Sequence, residues 1–164
     1  MEITEKTLRK VYTIGRADLI AYTMAVGEKI GKDEALRIHA QLLASKADML
    51  KENLSQLGIT GNDARAGMAV IDAVVGGHYP GMFELMELQR TEDTPQRVIT
   101  CYKGWCATLN ACKMLELTPK DFCPISHEEG LTTLVQVVNP KLQVRLGKLR
   151  PEADCCEVIV EIKE

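Results

Sequence analysis

Cys123 and His127 lie four residues apart, at or just before the start of a segment patterned as a helix. At that spacing a thiol and an imidazole share one helix face and converge on one point. Two chemistries follow. The pair could ligate a metal ion, or it could form a thiolate–imidazolium nucleophile supported by the helix N-terminus. Glu128 and Glu129 add carboxylates to the same turn, either as proton carriers or as partners of the helix dipole. His127 is also in phase with Leu131, Leu134 and Val138, so it faces the core, where a histidine often serves as a hydrogen-bonded structural residue. Cys101 ends a candidate strand and is a further inward group. Trp105, one turn on, would wall a small pocket or simply join the core.

The six cysteines (101, 106, 112, 123, 155 and 156) all lie in the C-terminal part of the chain. No C-x-x-C occurs, so neither a zinc ribbon nor a thioredoxin-type pair is expected. The N-terminus opens with charge and has no continuous apolar stretch, which predicts a cytoplasmic protein with reduced thiols. The cysteines are therefore read as ligands, catalysts or buried hydrophobes before disulfides. Period-two alternation places Cys156 on the apolar face of the last strand. It puts Cys155 on the more exposed side, with Glu157 and Glu161. The candidate metal set is Cys101, Cys123, His127 and Cys156, suited to a divalent ion such as zinc or manganese. His78, in a Gly-Gly-His-Tyr-Pro-Gly run, is either a solvated loop histidine or a lid. His39 sits on a helix stripe, as a core or interface residue.

The chain has 164 residues, 46% of them hydrophobic and 26% charged, with a net charge of −3. That balance fits one globular domain with a sizeable core. Its basic residues are scattered, which argues against a nucleic-acid partner. No apolar run is long enough to span a membrane. There is no G-x-G-x-x-G, phosphate loop, H-E-x-x-H or G-x-S-x-G, so nucleotide binding and serine hydrolysis lack support.

The positioning elements begin with helices over about the first 80 residues. Thr4 is the expected N-cap of a first apolar stripe through Leu8, Val11, Gly15, Leu19, Tyr22, Val26 and Ile30. Gly15 is a candidate break and Gly31 the end. A second helix is predicted from Asp33 through Leu57, stopped by Gly58. A third runs from Asn62 or Asp63 to Val75, ended by Gly76-Gly77, with a turn at Pro80-Gly81. A hairpin then pairs 83–91 with 96–101 across 92–95. Helices follow over about 103–116 and 125–138, with Pro119 and Pro124 bracketing the loop between them. The last segment alternates as two strands, Leu142–Leu146 and Cys156–Ile162, turning at Pro151–Asp154. The fold class predicted is α+β: a helical lobe over 1–80, then a small antiparallel sheet with helices packed on one face over 81–164.

Over about residues 96–162 these segments resemble the L-2-amino-thiazoline-4-carboxylic acid hydrolase-like family. The carriers are Cys123-Pro124-Ile125-Ser126-His127-Glu128, Asn139-Pro140-Lys141-Leu142 and Cys155-Cys156-Glu157-Val158-Ile159. The closing strand is also similar to 4-vinyl-reductase-type small-molecule-binding domains. The usual Gly-Asp before its Cys is Ala153-Asp154 here, and a Pro that often follows the first Cys is Tyr102. The extra Glu and Cys of the metal-binding relatives have no counterpart in 144–149.

The resemblance implies hydrolytic opening of a cyclic thiazoline C–N bond, metal-assisted or not. Cys123 or a metal-bound water would be the nucleophile, His127 base or ligand, and Glu128 a proton relay. Arg145 or Lys148 would pair the substrate carboxylate, and Trp105 would wall the pocket. The alternative is a non-enzymatic small-molecule-binding or sensing module. A third reading is a homodimer formed through the N-terminal helices.

Overall fold

The computed structural model describes residues 4–78 and 86–163. Helix α1 (Glu5–Ile30) begins as the sequence predicts, with the Thr4 hydroxyl accepting from the Thr7 N–H at 3.2 Å. It runs unbroken through Gly15. Gly31, at φ 97°, ends it, its N–H bonding the Gly27 carbonyl at 2.9 Å. The expected stripe is not the buried face. Val11 is 60% and Tyr22 70% exposed, and the helix buries Ala17, Ile20 and Thr23 instead. Over so long a helix no single three-four stripe stays against one neighbour, and α1 packs on two other helices.

The predicted second helix divides in two, α2 (Lys32–Ala44) and α3 (Ala47–Asn53). The break falls at Ser45, whose hydroxyl donates to the Leu42 carbonyl at 3.0 Å and competes with the backbone ladder. Helix α4 (Ala64–His78) opens on the expected Asp63, which accepts from the Ala66 N–H at 3.0 Å. It continues past Gly76-Gly77, where the sequence suggested a stop. The turn expected at Pro80-Gly81 and the start of the hairpin lie outside the described residues.

Strands β1 (Met86–Asp93) and β2 (Arg97–Gly104) form the predicted hairpin, which the Thr94 hydroxyl closes by accepting from the Arg97 N–H at 2.9 Å. Helix α5 (Ala107–Met114) follows, then α6 (Pro119–Val135). Helix α6 starts earlier than expected. Pro119 occupies its first turn, where a missing N–H costs nothing, and the helix carries Pro124 at the loss of one bond. Strands β3 (Leu142–Leu146) and β4 (Cys156–Ile162) complete a four-stranded antiparallel sheet of order β1-β2-β4-β3. The fold is α+β, as predicted.

Helix α6 joins the two layers, packing on β3 on one side and on α2 on the other. One core cluster lies between the sheet and helices α4 and α6, with Ile71, Val98, Leu134, Leu142 and Val160. A second lies among the helices, with Ile20, Leu36, Cys112 and Phe122. Gly130 lets α6 approach α2: a Cβ there would sit 2.6 Å from the Ala40 carbonyl oxygen. No helix among the described residues is long and apolar enough to cross a membrane.

Candidate functional site

Helices α1, α4, α5 and α6 and the sheet surround a cavity of about 480 Å³. That volume falls within the range of small-molecule sites, roughly 300–1,000 Å³. Its walls are chiefly aliphatic, from Leu19, Ile71, Val74, Leu131, Leu146 and Val158. No aspartate or glutamate contributes to the wall among the described residues.

The alternation rule explains the sheet wall. Tyr102 pairs with Cys156 and Thr100 with Val158, so these side chains share the inner face. Cys101 lies on the opposite face of β2. It is disulfide-bonded to Cys155, which is buried, while Cys156 is half-buried and lines the cavity. This corrects the sequence reading at two points. Cysteines 101 and 155 are not free thiols, and Cys155 is the more buried of the adjacent pair. Cys155 precedes β4, so the period-two rule does not reach it.

Cys123 and His127 both line the cavity, on one face of α6 as their spacing predicts. Their interaction is not thiol to imidazole. The His127 Nδ1 lies 3.2 Å from the Cys123 carbonyl oxygen and 2.9 Å from the Ser126 hydroxyl, and that hydroxyl itself donates to the Phe122 carbonyl at 2.6 Å. The opposite ring nitrogen, Nε2, lies 3.0 Å from the Arg16 guanidinium. A guanidinium has no acceptor, so Arg16 donates and Nε2 accepts. The imidazole is therefore neutral with its proton on Nδ1, directed at the carbonyl and hydroxyl oxygens.

Electrostatics reinforce that state. Burial, with Arg16 and His39 adding to it, drives His127 down to about 3. Burial is also the main cause of an upward shift of the Cys123 thiol, with Cys106, Cys112 and Cys156 contributing. At neutral pH the pair is thus thiol and neutral imidazole, not thiolate and imidazolium.

Arg16 is held from three sides. Its Nε donates to the Thr108 hydroxyl at 3.0 Å, its Nη2 reaches His127, and its guanidinium lies 5.7 Å from the Phe122 ring centre. Thr108 stands in the first turn of α5, which Cys106 caps through its sulfur. Behind Phe122, His39 is buried edge-on to the ring at 4.9 Å. Its Nδ1 bonds the Thr23 hydroxyl at 3.0 Å, and burial then Arg16 hold it at about 4.

The other sequence candidates take structural positions. Glu128 accepts from the Leu146 N–H at 2.8 Å and ties α6 to β3. Trp105 packs against Tyr12, a wall residue, with ring centres 6.3 Å apart. Arg145 pairs with Glu161 at 2.7 Å, and Lys148 with Glu157 at 3.2 Å. Neither borders the cavity. The set Cys101, Cys123, His127 and Cys156 does not converge. Cys101 is bonded across the sheet, and no group of three or more His, Cys, Asp or Glu among the described residues is placed to hold a metal ion. The donor set does not fit zinc or manganese.

Sequence reasoning passed over Arg16, Thr108 and Arg150. Arg16 carried a signal, standing four residues after Tyr12 and three before Leu19 on the same helix face. No family model matches the chain, and no curated protein matches it in sequence. Several solved structures resemble it. An Fe(II) unliganded H-NOX protein from K. algicida is 14% identical, with 85% of this chain and 68% of that one covered at a TM-score of 0.49. A trafficking protein particle complex subunit 3 from Naegleria fowleri, covalently bound to palmitic acid, is also 14% identical. There the match spans 98% of both chains at a TM-score of 0.55, so this chain shares that subunit's fold.

Proposed function

We propose that this chain is a non-enzymatic module that binds a small, largely apolar molecule in the cavity between its helices and its sheet. The observation that carries this reading is the cavity itself, about 480 Å³ with aliphatic walls and a few fixed polar groups. The polar groups are arranged to hold rather than to react. His127 has its one lone pair committed to Arg16, so it has no free acceptor for a substrate proton. Cys123 is a neutral thiol. An acyl chain, the kind of group carried by the Naegleria fowleri subunit, has the required apolar profile.

Thiazoline hydrolysis is the second reading, favoured by the presence of Cys123 and His127 in one wall. It requires the Arg16–His127 bond to open first.

Titration with Nile red, a neutral polarity-sensitive dye, tests the first reading. The expected result is saturable one-to-one binding that Val158→Trp, which fills the cavity from a half-buried wall position, abolishes while the circular dichroism spectrum is retained. Absence of saturable binding, or binding indifferent to the filled cavity, would overturn it. Turnover of 2-amino-thiazoline-4-carboxylate that His127→Ala eliminates would install the hydrolase in its place.

A further inference from the structure

Resting on the binding reading above, we infer that the cavity selects an amphiphile with a carboxylate head group, and that Arg150 is the residue that receives it. Two arginines, Arg16 and Arg150, are among the residues lining the cavity. Neither forms an ion pair with a carboxylate among the described residues, whereas Arg9, Arg37, Arg90 and Arg145 each do. His127, on α6 and bonded to Arg16, is neutral. The wall therefore carries positive charge in an apolar setting without a compensating anion, an arrangement whose desolvation cost an anionic guest would offset.

The two arginines are not equivalent. Arg16 has spent its Nε on Thr108 and its Nη2 on His127, and it serves as a fixed charge. Arg150 is anchored by one end only, Nη1 donating to the Gly104 carbonyl. Its Nε and Nη2 are closed to solvent and have no acceptor among the described residues, so a guest reaches them only once the Arg150 side chain, held by that single bond, turns toward the cavity. Those two N–H groups form one edge of the guanidinium, with parallel donors at the spacing of the two carboxylate oxygens. A carboxylate uses both donors and leaves little unsatisfied. A phosphate monoester brings more oxygens than the free donors can serve, and an alcohol or amine leaves the charge unanswered. Nor was the cation the sequence analysis favoured for this task available, since Arg145 and Lys148 are already paired.

The test is displacement of Nile red by four single-chain compounds of equal length below their aggregation concentrations: dodecanoate, dodecanol, dodecylamine and dodecyl phosphate. Dodecanoate is expected to bind about tenfold or more tighter than dodecanol, the range for a charge-assisted hydrogen-bonded pair. Dodecylamine should compete least. Arg150→Met, which keeps the apolar stem, should weaken dodecanoate by about tenfold and leave dodecanol unchanged.

Dodecanol binding as tightly as dodecanoate would overturn the inference while leaving the cavity reading intact. So would Arg150→Met weakening every compound alike. Dodecyl phosphate outcompeting dodecanoate would overturn the carboxylate assignment. Failure of Nile red and all four compounds to bind would instead reject the binding reading itself.

Discussion

Acidification from pH 8 to pH 5 should destabilise the protein through two buried histidines. His39 is held at about 4 and His127 at about 3, each chiefly by burial and then by Arg16. In the unfolded chain both imidazoles return to an ordinary value of about 6.5. As the pH falls through 6.5 the unfolded chain takes up two protons that the folded chain refuses, so stability falls. At about pH 5 each histidine contributes roughly 2 kcal/mol to this loss, from RT ln(1 + 10^1.5). This figure depends on the unfolded value alone, because both folded imidazoles are still mostly neutral there. The pair together costs roughly 4 kcal/mol, a large fraction of the 5–15 kcal/mol typical of a domain. Asp72, which burial shifts upward against the pull of Arg90, works in the opposite sense and trims the loss. Glu161 is held down by Arg145 and Gln143 against its own burial, and it adds to the loss only at lower pH.

Urea unfolding at the two pH values measures the difference directly. His39→Gln and His127→Gln should each remove about half of the pH dependence, and the double variant should be nearly flat over this range. Equal stability at pH 8 and pH 5 would show that the buried histidines do not set the pH dependence, as would a full pH drop in the double variant.

The remaining predictions concern packing and sulfur. Gly130→Ala should destabilise by about 1–3 kcal/mol in urea melts, because the new Cβ meets the Ala40 carbonyl, a backbone atom that cannot swing aside. Thiol counting on the unfolded, unreduced chain should find four reactive groups, Cys106, Cys112, Cys123 and Cys156. Reduction of the Cys101–Cys155 bridge, which spans a sequence separation of 54, should lower stability by about 2–4 kcal/mol. Cys123 should react slowly with iodoacetamide at neutral pH, since burial suppresses its thiolate, and Cys112, driven up to about 11, should be slow as well. Mass spectrometry of the modified peptides reads both rates.

Elements with local causes were legible in the sequence. The Thr4 cap, the Gly31 stop, the Asp63 helix start and the alternating C-terminal strands all follow from one or two neighbouring residues, and the structure has each of them. The placement of Cys123 and His127 on one face of α6 followed from helical spacing. Features set by distant partners were not legible. Nothing near Cys155 in the chain announces Cys101, because the bridge depends on how β2 and β4 pair. Pro119 and Pro124 looked like loop markers, yet the tertiary contacts of α6 with α2 and β3 carry the helix across both. Arg145 and Lys148 had the right chemistry for a carboxylate and the wrong neighbours, since each faces a glutamate on β4. Arg16 lies more than a hundred residues from His127, so its role as the histidine's partner appears only in three dimensions.

The proposed function stands or falls on whether the hollow beneath the sheet receives a guest. A crystal structure of the protein grown with ω-bromododecanoate tests it most directly, because bromine's anomalous scattering locates the chain end without ambiguity. One bromine peak is expected among the aliphatic wall residues, with the carboxylate density against the Nε and Nη2 of Arg150. Bromine found only on the outer surface, with the cavity closed by its own side chains, would contradict it.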